Sequence, residues 1–313
     1  MRRAISSACT ATVIVTLAAA GCTTNTSGQS DSARPLQGTV AEGAVNPVRE
    51  LTDAEMVLIE RAEQLLVGAC VEKAGFKYWP VPVTSVEERR SRGYVLSDVD
   101  WARKYGYGGQ LEKKAEKIRR SDPNNAYANS LPEAERIRYS KTVDGDPSKG
   151  MLSVELPAGG TVQTPRDGCW ADTRERLYGD RATWFRVKKI ATSLTPLYVP
   201  DLVKDKRLVN AVEAWARCMR AAGHDYADPN EISGKRYVLT EGLSPARAHA
   251  TEVELAVAEA TCAVETSLAR TARALEREYR AKKLGRYSDD IALYQRMRLT
   301  ALARAKDVIE SHV

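Results

Sequence analysis

With 313 residues, 43% of them hydrophobic and 28% charged, the chain has the length for one large domain or two ordinary ones. Its composition excludes an intrinsically disordered polypeptide. The net charge of +6, or +4 without Arg2 and Arg3, is too small to argue for a nucleic-acid partner, and no RRM, zinc-finger or helix-turn-helix pattern accompanies it.

Met1-Arg2-Arg3 supplies a charged start. The apolar AISSACTATVIVTLAAA that follows is too short and too rich in Ser and Thr for a membrane span, so residues 1–21 read as a signal peptide. Ala19-Ala20-Gly21-Cys22 resembles a bacterial lipobox, in which the Cys is acylated and begins the mature chain, although Ala19 stands where that motif usually has Leu. Ordinary cleavage after Ala20 is the rival reading. Lipidating Cys22 leaves four cysteines in the folded region, whereas leaving it free gives an exported protein an odd five; the cysteine count favours lipidation. The expected location is therefore extracytoplasmic, anchored to the cell membrane through Cys22. Residues 23–50, TTNTSGQSDSARPLQGTVAEGAVNPVRE, are polar and broken by Pro and Gly. They read as a flexible tether spanning about 30 Å.

From Leu51 the pattern becomes helical. Thr52 and Glu55 stand at capping-box spacing, and Leu58, Ala62, Leu65, Leu66, Ala69 and Cys70 recur at helical intervals before Gly75. CVEKAGFKY at 70–78 has a counterpart in CMRAAGHDY at 218–226, itself preceded by an amphipathic run through Leu208, Val212, Trp215 and Met219. Downstream, RGYVLSD at 92–98 answers KRYVLTE at 235–241, and each is followed by Ala-Arg (Ala102-Arg103, Ala246-Arg247). Tyr-Val-Leu reads as a short strand and the following Ser or Thr as a helix cap. The two stretches predict an internal duplication of helix, turn, short strand, helix. Each copy reaches a second cysteine, Cys169 and Cys262, so equivalence predicts bridges Cys70–Cys169 and Cys218–Cys262, each contributing about 3–5 kcal/mol. Zinc is the competing reading of four cysteines, but there is no CxxC pair and the three histidines are scattered, so no metal is expected.

Between the copies, KKAEKIRR at 113–120 reads as a solvated helix face. Ser130 and Glu133 predict a second capping box, and MLSVELPAGGTVQ predicts a hairpin turning at Ala158-Gly159-Gly160. Ser244-Pro245 predicts a helix start running through Cys262. Beyond Gly285, Ser288 is the expected cap of a last helix, whose Ile291, Tyr294, Leu299, Leu302 and Val308 are expected to pack on the long helix before it. The lipobox, NNAYANSLPEAERIRYSKTVDG and GCWADTRERLYG together resemble a group of actinobacterial secreted lipoproteins of unassigned function, over residues 70–290. The resemblance implies location and fold and carries over no catalytic residue. The predicted fold is mainly α. It comprises two related helical units, 51–195 with an insertion and hairpin and 196–313 with the C-terminal helix, each with its own disulfide.

Chemistry is sparse. Gly-x-Ser-x-Gly, a Walker loop, GxGxxG, HExxH and an EF-hand loop are absent, and no cofactor is implied. DGDPSKG at 144–150 lacks the closing Glu of a calcium loop. His224 takes the slot of Phe76 and reads as a packing ring; His249 falls on a predicted helix and His312 near the C-terminus. Thirteen Tyr and five Trp against two Phe suit partly wet surfaces, and Tyr78, Trp79, Trp101, Tyr105 and Tyr107 form the candidate binding surface. The expected role is a non-enzymatic binding or interaction module in the envelope, with a membrane contact through its lipid and an envelope protein or cell-wall partner. The alternative is a cell-wall polymer hydrolase, whose acidic pair 41 carboxylates do not single out. A solute-binding lipoprotein of a transporter is disfavoured by the scarcity of strands.

Overall fold

The structure, a computed structural model, describes residues 49–89 and 93–312; the signal peptide, Cys22 and the tether up to residue 48 lie outside the described residues. Helix α1 (Asp53–Lys73) starts on the expected capping box, the Thr52 side chain accepting from the Glu55 amide at 3.3 Å while Glu55 accepts from the Thr52 amide at 2.9 Å. There follow α2 (Val99–Tyr105), α3 (Gly109–Arg120), α4 (Pro123–Ser130) and α5 (Glu133–Asp144). The hairpin β1 (Met151–Glu155) and β2 (Thr161–Pro165) is antiparallel, with Met151 opposite Pro165 and Val154 opposite Val162. The remainder is helical: α6 (Cys169–Tyr178), α7 (Arg181–Ala191), the short α8 (Val199–Leu202), α9 (Lys206–Ala221), α10 (Pro229–Thr240), α11 (Pro245–Glu265), α12 (Leu268–Lys283) and α13 (Ser288–Glu310). The mainly α fold with one hairpin is thus present. So are both expected bridges, Cys70–Cys169 (Cα–Cα 5.6 Å) and Cys218–Cys262 (Cα–Cα 5.7 Å).

The repeated phrase folds alike in both places. α1 and α9 each end on a glycine at φ +87°, Gly75 and Gly223, a left-handed conformation that costs other residues more. The next amide then reaches five residues back, Phe76 to Val71 at 3.2 Å and His224 to Met219 at 2.9 Å. Phe76 is buried and His224 half-buried.

Tyr-Val-Leu does not form a strand in either copy. Tyr94-Val95-Leu96 is a turn that buries Val95 and Leu96, and Tyr237-Val238-Leu239 lies inside α10. Three β-favouring residues without a neighbouring strand have no ladder to join, and a helix started by Asp228-Pro229 runs straight through them. What does recur is Asp-Pro-Asn. Asp122 caps α4 by accepting from Asn124 N–H at 2.8 Å, and Asp228 caps α10 by accepting from Asn230 N–H at 2.7 Å, with Pro at the first turn each time. The second copy passes directly from Ala227 to Asp228, whereas the first leaves at Trp79 and returns at Asp122. Asn124 closes the base of this 80–121 excursion, its side chain accepting from the Trp79 amide at 2.9 Å and donating to the Trp79 carbonyl at 2.7 Å.

Two caps differ from expectation. Ser130 is the last residue of α4, its hydroxyl donating to the Tyr127 carbonyl at 2.7 Å, because α4 already occupies 123–130. Ser288 is the first residue of α13 and offers no side-chain cap.

The stretches 51–195 and 196–313 exchange elements. The excursion sends α2 onto α11, where Val95, Leu96, Trp101, Ala102 and Tyr107 share a core with Trp215, Met219, Leu255, Ala256 and Ala260. The buried Glu259 carboxylate fixes that contact, accepting from the Leu96 amide at 3.1 Å and the Tyr107 hydroxyl at 2.6 Å. In return α13 packs on α1, α6 and α7, with Met297, Ala301, Leu302 and Ala305 against Ile59, Ala62, Leu66 and Leu177. Of the face expected to pack on the preceding helix, Ile291 joins the core that holds Leu268, Ala272 and Leu275 of α12, whereas Tyr294, Leu299, Leu302 and Val308 turn to the core of α1, α6 and α7. A third cluster, Val67, Val71, Phe76, Tyr139, Val143 and Cys169, fills the space behind the first disulfide.

Candidate functional site

The first bridge places the start of α6 against α1, and α6 then presents Trp170, Ala171 and Arg174 one turn apart. Asp180 caps α7 by accepting from the Thr183 amide at 2.8 Å. Along α7, Arg181, Trp184, Phe185, Lys188 and Lys189 fall at intervals of three, four and seven, and so share one side of the helix. The hairpin leans over this side with Leu152, Gln163, Thr164 and Pro165, and Asp144 closes the end from α5. Together they enclose a cleft of about 260 Å³.

The cleft is basic and aromatic. The Arg174 guanidinium sits 5.3 Å from the Trp170 ring centre, Lys188 Nζ 5.5 Å from Trp184 and Lys189 Nζ 5.8 Å from Phe185. Arg181 is engaged by Asp172 at 2.9 Å and by Glu175. Among the described residues no ion pair includes Arg174, Lys188 or Lys189. Trp184 is stacked on Tyr178 at 3.6 Å with planes 7° apart, and Tyr294 of α13 lies 5.4 Å from it. Behind this stack Glu63 of α1 accepts from the Tyr178 hydroxyl at 3.0 Å.

Burial pushes the Glu63 carboxyl up, opposed by the Tyr178 hydrogen bond and by the charges of Lys188 and Arg174. Burial likewise pulls Lys188 down, with Glu63 holding it up. Asp144 is raised by burial against the pull of Arg174. Trp184 is 3% exposed, and its indole Nε1 has no hydrogen-bond partner among the described residues. A buried indole N–H normally finds an acceptor. The arrangement can hold an anion: three cations stand without ion-pair partners among the described residues, and Asp144 is the one carboxylate in the cleft lining.

The aromatic residues singled out from sequence are divided between two cores. Tyr78 donates its hydroxyl to Gln64 at 3.1 Å, and Trp79 meets Tyr127 edge-on at 5.7 Å, continuing a chain of rings through Tyr139 to Phe76. Trp101, 7% exposed, donates Nε1–H to the Glu87 carbonyl at 3.1 Å and packs on Tyr105, while Tyr107 is buried on Glu259. Of the five, Trp79 lines a small apolar groove of about 160 Å³ with Pro80, Val81, Pro82 and Ile118. In the DGDPSKG loop, Asp146 accepts from the Ser148 amide and pairs with Lys141 at 2.9 Å, which holds its carboxyl at about 2.

Reading the sequence alone passed over Trp170, Arg174, Trp184, Lys188 and Lys189. The only signal was the alternation of rings and cations four apart on α7, which a solvated amphipathic helix shares. Among the described residues, no helix is long and apolar enough to cross a membrane.

The molecule is thus a disulfide-stapled, mainly helical protein, and two disulfides fit an oxidising, extracytoplasmic compartment. Comparison with known proteins gives no match to a family model, to a curated protein or to a solved structure.

Proposed function

We propose that the chain is an envelope lipoprotein, anchored through lipidated Cys22, that acts as a non-enzymatic binding module with the α6–α7–hairpin cleft as its ligand site. The cluster of Arg174, Lys188 and Lys189 in the cleft wall carries this reading, because a cation as desolvated as Lys188 costs free energy without a partner. Kinship with the actinobacterial lipoprotein group rests on the lipobox and the NNAYANSLPEAERIRYSKTVDG and GCWADTRERLYG phrases. Two experiments test it. Fractionation of cells should find the protein in the membrane and Cys22→Ala should release it; a wild type equally soluble defeats the anchor. Purified protein should sediment with isolated envelope material, and a loss on Lys188→Met combined with Arg174→Gln supports the cleft.

The hydrolase alternative has one observation in its favour: Asp144 stands in the cleft wall with its carboxyl raised by burial, as a general acid requires. Cleared zones on cell-wall zymograms that vanish with Asp144→Asn would replace the binding reading with this one.

A further inference from the structure

We infer that the cleft recognises an acidic sugar, a single pyranose-sized unit bearing one carboxylate or phosphate, an assignment that rests on the cleft being the ligand site. Four features of the cleft select this class. First, Arg174, Lys188 and Lys189 converge on it without ion-pair partners among the described residues, and a guanidinium beside two ammonium groups matches a carboxylate or phosphate. Second, the opposite wall is polar and uncharged at Gln163 and Thr164 and acidic at Asp144. A bare anion would be repelled by Asp144, whereas hydroxyl groups donate to it. Third, the rings of Trp170 and Phe185 line the same space, giving an apolar face to a ring's C–H surface. Fourth, a volume of about 260 Å³ lies just under the usual range for drug-sized ligands, leaving room for one ring and its substituents.

Titration of the full chain, followed by tryptophan fluorescence and calorimetry, tests the assignment with glucuronate, glucose 6-phosphate, glucose, inorganic phosphate and glutamate as probes. The expected result is saturable binding of glucuronate or glucose 6-phosphate, whichever anion the site takes, with glucose and inorganic phosphate each at least about tenfold weaker. Arg174→Gln and Lys188→Met should each weaken the preferred sugar acid by about 10–100-fold, and Lys282→Met on α12 should leave it unchanged. Inorganic phosphate or glutamate binding as tightly as the sugar acids overturns the sugar half of the assignment. Glucose binding equally overturns the anionic half, and no binding of any probe overturns both. Envelope sedimentation separates this failure from that of the wider reading. If the protein still sediments with envelope through Arg174 and Lys188 while no sugar acid binds, the binding module stands and the acidic sugar falls. If sedimentation is itself absent, the module reading fails with it.

Discussion

Helices α7 and α12 carry the same run of residue types, Phe185-Arg186-Val187-Lys188-Lys189 in one and Tyr279-Arg280-Ala281-Lys282-Lys283 in the other. In the α12 run Lys283 pairs with Asp201 at 2.5 Å, Arg280 with Glu276 at 3.7 Å, and the Tyr279 hydroxyl donates to Asp205 at 3.1 Å, while among the described residues no ion pair includes Lys282. In the α7 run Arg186 pairs with Asp290 at 2.5 Å, while among the described residues no ion pair includes Lys188 or Lys189, which lie over aromatic rings. The neighbour makes the difference. α12 faces Asp201 of α8 and Asp205, the cap of α9, whereas α7 faces a hairpin that contributes Gln163, Thr164 and Pro165. A lysine lies over a ring in a cleft or joins a salt bridge according to what the adjacent element presents.

The contrast between the cleft beside α7 and the surface of α12 can be broken or sharpened at several points. The largest effect is expected at the staples. Cys70→Ser with Cys169→Ser opens a separation of 99 residues and should cost about 4.7 kcal/mol, against about 4.0 kcal/mol for Cys218→Ser with Cys262→Ser over 44, as read by urea denaturation. Next comes the base of the hairpin insertion, where Gly145 and Gly168 cross at φ +98° and +96° and a Cβ on Gly145 would stand 2.3 Å from the Asp167 carbonyl oxygen. Gly145→Ala should lose about 3 kcal/mol and collapse ligand binding with it, while Gly234→Ala on α10, with open space around it, should be neutral or stabilising. Asn124→Ala unties the 80–121 excursion, leaving the Trp79 amide and carbonyl without their partner, and should cost about 2 kcal/mol with accelerated amide exchange at 79–81.

The comparison of α7 with α12 is sharpened by two lysine variants. Lys188→Met removes a desolvated charge and should raise stability by about 1 kcal/mol while weakening ligand binding; Lys283→Met, at an exposed ion pair, should change the melting temperature very little. The smallest effect is a slope. The Glu63 carboxyl is raised by burial, so above the ordinary value of about 4.3 the folded state keeps a proton that the unfolded chain has lost. Its contribution is full below that value and is lost as pH rises through the raised folded value. Glu63→Gln should flatten the fall of stability with pH in that window, as followed by thermal melts; an unchanged slope refutes the assignment.

Much of the fold was legible because its signals are local. The Thr52–Glu55 capping box, the Gly75 and Gly223 stops, Ser244-Pro245 and the Gly159-Gly160 turn each act through a few neighbouring backbone groups, so their residue types suffice. The pairing of the cysteines was legible from the repeat itself. Tyr-Val-Leu misled because β propensity depends on a partner strand, and its copies became a turn and a helix where none was at hand. The Asp-Pro-Asn phrase, the better marker of the repeat, was hidden by the excursion between Trp79 and Asp122.

The cleft was not legible at all. Trp101 and Tyr107 read as surface residues from their type alone, and the structure buries them because α2 crosses to the other half and the Tyr107 hydroxyl meets Glu259 there. Trp184 and Lys188 look like any amphipathic helix until the hairpin leans over them and α13 returns to stack Tyr294 near the indole.

By itself, the sequence determined the helices, their stops, the two covalent rings and the compartment in which such rings persist, since each follows from residues acting on near neighbours or from cysteine chemistry. Only the tertiary structure decided which half each element serves and which cations go without a carboxylate, because burial and pairing depend on segments up to a hundred or more residues apart meeting in space, as Glu63 and Tyr178 do.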